Sequence, residues 1–120
     1  RTVTITAKQA PGGAFIGNLQ IQKSQSGATN WSSANSYCNN LTEDDHSDWY
    51  LPSVNQLQSM FPNQSSLLVV SGFHPFFVGC YWSNQVSGRG THYYVDNPSC
   101  QYSYNSTDAG PAYIRCVRNN

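Results

Sequence analysis

The spacing of hydrophobic and polar positions predicts strands at the start of the chain. Residues 2–7 alternate Val and Ile with Thr, which is the two-residue period of a strand. A turn signal at 11–13 follows, and 14–22 continues as strand before a polar loop at 24–29. The candidate buried positions of the second segment are Phe15, Leu19 and Ile21.

The period then changes to that of two helices. One apolar face is formed by Trp31, Ala34, Cys38 and Leu41, with Thr29, Asn30 or Ser32 as the cap and an acidic loop at 43–48 behind it. Residues 49–53 are predicted to be extended because Pro52 disfavours the helical region for the residue before it. Ser53 would cap a second helix, whose apolar face is Val54, Leu57, Met60 and Phe61 and which Pro62 ends.

The remainder is predicted to be mainly β-structure. Residues 65–77 are expected to form a loop with a short strand or turn. Strands at 80–84 and 91–95 flank a turn at 87–90 and predict a hairpin, and a final strand at 112–118 follows a Tyr-rich loop at 97–110. Two strands, two helices and an antiparallel sheet make an α+β fold, and 120 residues suit a single domain spanning 1–120.

Composition and charge exclude several partners. Only 10% of the residues are charged, but aromatic residues reach 13%, so the chain has enough apolar mass to fold. The formal net charge is zero and the six Lys and Arg are dispersed, which argues against nucleic acid and anionic membrane surfaces as partners. No segment approaches the ~20 apolar residues that membrane insertion requires.

Four cysteines in a small polar chain favour disulfides. None lies in a C-x-x-C pair, and the alternatives are a zinc site completed by His46, His74 or His92, or free buried thiols. Disulfides imply an oxidising location, either secreted or on a bacterial cell surface.

Several motifs then resemble a known family in order and spacing. Residues 49–57, W-Y-L-P-S-V-N-Q-L, are similar to the W-x-L-P-[ST]-x-x-E-L signature of bacterial DUF1566 domains, also called Lcl C-terminal domains after a collagen-like adhesin. Y-W-S at 81–83, Y-I-R-C-V-R at 113–118 and the helix with Trp31, Ala34 and Cys38 match further family motifs. Gln56 departs from the family pattern, which usually has Glu at that position.

The resemblance implies a C-type-lectin-like fold with two disulfides. In that fold the first helix is linked to the last strand and a second bridge holds the long loop region, which implies Cys38–Cys116 and Cys80–Cys100. The calcium-dependent sugar site of true C-type lectins is not expected, because Asp96-Asn97-Pro98 reorders its triplet and no W-N-D follows. The acidic residues of 43–48 lack the spacing of a calcium loop and are expected to form a solvated turn, so we expect no cofactor and no metal.

Catalysis is not expected either. The cysteines are taken as paired, no G-x-S-x-G or H-E-x-x-H motif is present, and the chain is therefore predicted not to be an enzyme. The segment 83–111 instead combines Tyr, Asn, Ser and Gly, which are typical of recognition loops. The predicted ligand-binding residues are Asn84, Arg89, His92, Tyr94, Asp96, Asn97, Tyr102, Tyr104, Asn105 and Asp108.

These features indicate a bacterial adhesin or receptor-binding domain for a cell-surface glycan. A neutral or mildly charged glycan, such as a lipopolysaccharide sugar or a host glycan, suits the chain better than the polyanionic glycosaminoglycans of the adhesin. A longer parent protein, such as a pilus or a collagen-like stalk, could make it a homotrimer. The alternatives are a structural module that caps or trimerises such a stalk, and a retroelement-type variable domain that binds protein.

Overall fold

A computed structural model describes residues 13–120, and the strand predicted at 2–7 lies outside the described residues. The elements are β1 (Ala14–Ile16), β2 (Leu19–Ile21), β3 (Ser26–Thr29), α1 (Trp31–Asn39), α2 (Val54–Met60), a 3-10 turn (Phe61–Asn63), α3 (Gln64–Leu68), β4 (Gly79–Val86), β5 (His92–Asn97), β6 (Tyr102–Ser103), β7 (Ala112–Ile114) and β8 (Val117–Asn119). The predicted α+β class is confirmed. No helix among residues 13–120 is long and apolar enough to cross a membrane.

Side-chain caps begin both predicted helices. Asn30 caps α1 by accepting a hydrogen bond from the Ser33 N–H, and Ala34 and Cys38 are buried on the predicted face. Helix α2 begins with a capping box, in which Ser53 accepts from the Gln56 N–H while the Gln56 side chain accepts from the Ser53 N–H. This box needs only an acceptor oxygen at its third helical position, so Gln can serve there as Glu would.

The region after α2 differs from its prediction. The α-helix ends at Met60, before Pro62 as predicted, but the chain continues through the 3-10 turn into α3. The prediction of a loop at 65–77 was therefore wrong for residues 65–68, which are helical. Leu67 is completely buried in the core, and this contact holds a helix of only five residues that local sequence preference would not support alone.

The strands form two sheets. The central sheet has the order β3-β7-β4-β5-β6, and a smaller sheet has the order β1-β2-β8. The β4–β5 hairpin is confirmed, with Trp82 opposite Tyr94. Four predictions were wrong: the strand at 14–22 is a hairpin of β1 and β2, the polar loop at 24–29 contains β3, the strand at 112–118 is divided between the two sheets, and the central sheet is mixed because β7 runs parallel to β4.

The central sheet has a hydrophobic core on each face. Consecutive strand residues point to opposite faces, so Tyr81 lies in the core formed with α2 while Trp82 lies in the core formed with α1. We call these the α2 face and the α1 face. Trp49 is buried in the core of the α1 face, and its indole N–H donates to the His46 carbonyl.

One disulfide joins α1 to the end of the chain. Cys38 and Cys116 are bonded, as predicted, at a sequence separation of 78. The predicted Cys80–Cys100 bridge is not formed, and both thiols are free. The reason is their placement, because Cys80 packs with Trp82 on the α1 face while Cys100 packs against the core of the α2 face.

Arg115 is completely buried between β7 and β8. Its guanidinium donates to the Gln22 carbonyl at 2.8 Å, the His74 carbonyl at 2.7 Å and the Gln25 side chain, and it lies over the rings of Phe73 and Phe76. No carboxylate pairs with it among the described residues. Burial lowers the pKa of Arg115 to about 10, so the side chain is charged at neutral pH.

We expect the Cys38→Ser, Cys116→Ser double variant to be less stable by about 4–5 kcal/mol, because the disulfide closes a long loop in the unfolded chain. Guanidinium unfolding without reductant measures the difference. The Cys80→Ser, Cys100→Ser double variant is the matched control and should unfold near the wild-type midpoint. An equal loss in the control, or fewer than two titratable thiols in the denatured wild type, would contradict the observed pairing.

Arg115→Met should lower the free energy of unfolding by about 3 kcal/mol or more, because buried acceptors lose their donors. The midpoint of urea unfolding measures this loss. Arg89→Met removes the same group from an exposed turn and should change stability by less than about 0.5 kcal/mol. Similar effects of the two substitutions would show that the buried contacts of Arg115 do not stabilise the fold.

Asp48→Asn should reduce stability at neutral pH, and the difference from the wild type should disappear in acid. The hydrogen bond from the buried Arg118 to Asp48, 2.6 Å long, holds the pKa of the Asp48 carboxyl below its ordinary value. The stabilisation from this hydrogen bond is therefore present above the ordinary pKa of Asp and is lost as pH falls through the lowered pKa of Asp48. Thermal unfolding of both proteins from pH 7 downward should show their difference closing, whereas Asp45→Asn, which removes a carboxylate without an ion pair in the described region, should show no such trend.

Candidate functional site

The predicted ligand residues do not form one site. The two-residue alternation of β5 directs His92, Tyr94 and Asp96 to the α1 face, while Tyr93 packs on the α2 face. Asn105 and Asp108 bond to residues of the α1 face, whereas the rings of Tyr102 and Tyr104 pack edge-on against Tyr93. The sheet therefore separates the predicted set into two groups.

On the α1 face the polar side chains are hydrogen-bonded within the protein. The His92 ring lies 2.7 Å from a carboxylate oxygen of Asp108, and it stacks on Trp31 with 3.5 Å between ring centroids. The Asp108 carboxylate also accepts from the backbone N–H of His92. The Tyr94 hydroxyl donates to the Asn105 side chain, and Asp96 accepts from Ser99. The bonds to Asn105 and Asp108 hold the 105–110 segment to the sheet, and the network leaves few groups free for a ligand.

A small cavity of about 130 Å³ lies beside this network. Cys80, Trp82, Tyr94 and Asn105 line it, together with the segment 110–112. Burial, and then the nearby Asp96 charge, raise the pKa of the Cys80 thiol, so this group is protonated at neutral pH and is a poor nucleophile. The site offers mainly apolar surface.

Three predicted residues fall outside both groups. Asn97 is buried, and its amide donates to the Phe77 carbonyl and accepts from Gln64, so it supports the loop before β4 and cannot contact a ligand. That part of the ligand prediction was wrong. Asn84 and Arg89 are exposed near the hairpin turn, and their side chains make no hydrogen bond with another described residue.

The α2 face carries a groove of about 220 Å³ that sequence patterns did not predict as a unit. We call it the tyrosine groove, and it is lined by Val54, Asn55, Gln58, Gln85, Tyr93 and Tyr102. Tyr102 is 55% exposed, and the neighbouring Tyr104 is 39% exposed. Their edge-on contacts with Tyr93 fix the orientation of three aromatic rings at the edge of the sheet.

The groove has free hydrogen-bonding capacity. The hydroxyls of Tyr93 and Tyr102 and the Asn55 amide make no hydrogen bond within residues 13–120. Gln58 and Gln85 each use only one end of the amide, through bonds to the Cys100 carbonyl and the Val54 N–H. Oriented aromatic rings beside half-free amides are suited to hold a polar ligand with an apolar face.

The acidic turn does not form a second polar site of this kind. Glu43 accepts from the Lys23 N–H and the Ser24 hydroxyl, and Asp48 pairs with Arg118. Asp44 and Asp45 border a larger cavity, of about 290 Å³, beside β1 and β2. Within residues 13–120 no group of three or more His, Cys, Asp or Glu side chains is placed to hold a metal ion.

Comparison with known proteins identifies the family. No curated protein matches the chain. The family model of the Lcl C-terminal domain matches residues 8–118, which is almost the whole chain and includes α1, α2, both sheets and the four motifs given above. The chain therefore belongs to the Lcl C-terminal domain family, the DUF1566 type.

Proposed function

We propose that this chain is a non-catalytic binding domain that recognises a cell-surface glycan through the tyrosine groove. One observation carries the proposal: exposed Tyr102 and Tyr104 are held against Tyr93 beside amide groups with free hydrogen-bonding ends. An aromatic ring packs against the apolar face of a sugar ring, and amides bond to its hydroxyls. The domain is a bacterial adhesin or receptor-binding domain that works without calcium, because the groove itself supplies the contacts with the glycan.

The location and the fold are part of the same proposal. The Cys38–Cys116 disulfide supports an oxidising compartment, which is the secreted or cell-surface location of an adhesin. A C-type-lectin-like fold is supported by a first helix bonded to the end of the chain and by a mixed central sheet with helices on both faces. A crystal structure whose strand order differs from that of C-type-lectin domains would contradict the fold.

A structural module is the second candidate. Val69 and Val78 are about four-fifths exposed, and Leu68 and Phe77 are about half exposed, which favours contact with protein. Under this alternative the domain caps or trimerises a stalk and binds no glycan. A variable protein-binding domain would also use such residues.

A glycan array probed with wild-type protein and with Tyr102→Ala and Tyr104→Ala tests the first proposal. We expect binding that is unchanged by EDTA and weakened about tenfold by either substitution, since loss of an aromatic contact in or beside the groove removes ~1.4 kcal/mol or more. Phe77→Ala removes an exposed aromatic ring outside the groove and is the matched control. An array without any bound glycan would favour the structural module, and full binding by both tyrosine variants would place the site elsewhere.

A further inference from the structure

The two glutamines of the tyrosine groove present opposite hydrogen-bonding ends. The Gln85 side-chain oxygen lies 2.7 Å from the Val54 nitrogen, and a backbone N–H can only donate, so the free end of Gln85 is its NH2 group. The Gln58 NH2 group lies 2.8 Å from the Cys100 carbonyl, which can only accept, so the free end of Gln58 is its oxygen. The partners thus fix the orientation of both amides, which leaves the Gln85 NH2 group free to donate and the Gln58 oxygen free to accept in the same groove.

The walls of the groove carry no charge. None of its six lining residues is an Asp, Glu, Lys, Arg or His. Residues 49–88, which supply α2 and β4, contain no Asp, Glu, Lys or Arg. An ionic ligand entering the groove would therefore lose water without gaining an opposite charge, which is unfavourable.

From this arrangement we propose that the groove binds a neutral saccharide with adjacent free hydroxyls and discriminates against uronic acids and sulfated sugars. One hydroxyl accepts from the Gln85 NH2 group, and its neighbour donates to the Gln58 oxygen. A hydroxyl can do either, whereas a carboxylate or sulfate only accepts and would face the Gln58 oxygen with like polarity. This inference rests on the proposed function and adds its ligand class.

The probes are methyl glucoside, galactoside and mannoside, each paired with the methyl uronide that has a carboxylate at carbon 6. Titration of the ¹⁵N-labelled chain, followed by NMR, gives both the dissociation constants and the residues that shift. We expect the shifts to lie in the groove and at least one neutral hexoside to bind at least fivefold more tightly than its uronide.

Gln58→Lys exchanges the free acceptor for a cationic donor at a half-buried helix position, where the fold should tolerate it. We expect the ratio of uronide to hexoside affinity to rise at least tenfold. Gln101→Lys adds the same charge on an exposed residue outside the groove lining and should leave the ratio within about twofold. An unchanged ratio in Gln58→Lys would overturn the role of Gln58.

The outcomes separate this inference from the proposed function. Preference of the wild type for uronides, with shifts in the groove, would overturn neutral selection but leave glycan recognition standing. Shifts confined to other surfaces would overturn the groove as the site. No binding to any hexoside or uronide, together with an empty glycan array, would overturn both proposals.

Discussion

The buried guanidinium of Arg115 joins parts of the chain that are far apart in sequence. It bonds the residues after β2 to the loop before β4 and is itself fixed between β7 and β8. Since it has no carboxylate partner in the described region, its charge is balanced by carbonyl and amide oxygens that meet only in the folded chain. Tyr81 extends the network, because its hydroxyl donates to Gln25 and accepts from the Phe77 N–H. The position of β4, and with it Gln85, depends on these contacts.

Local patterns were sufficient for the elements whose faces are plainly amphipathic. The helical spacing of Ala34 and Cys38 predicted α1, because burial of one face selects this period, and the turn at 87–90 between two strand segments predicted the hairpin. The sequence did not reveal α3 or β3, which are short and held by tertiary contacts. Arg115 was also missed as a core residue, since a charged side chain is buried only where distant acceptors converge.

The candidate site was predictable in composition but not in geometry. The abundance of Tyr and Asn between 83 and 111 directed the ligand prediction to Tyr102 and Tyr104, both of which are exposed. The segment does not form one loop face, because the alternation of β5 divides its residues between two sides of the sheet. Gln58 lies on α2, outside the segment, and its contact with Cys100 spans 42 residues that no local pattern connects. The one available signal was that Tyr93 and Tyr94, as neighbours in a strand, must point to opposite faces.

The Cys38–Cys116 bond also determines how the domain would carry mechanical load. A force that pulls the two ends of the chain apart passes from residue 38 directly to residue 116 through the disulfide. The 77 residues between them, from 39 to 115, form a covalent loop that such a force does not stretch. Every residue lining the tyrosine groove lies in this loop. A ligand held there would remain on a covalently closed segment while the segments outside the loop extend under tension.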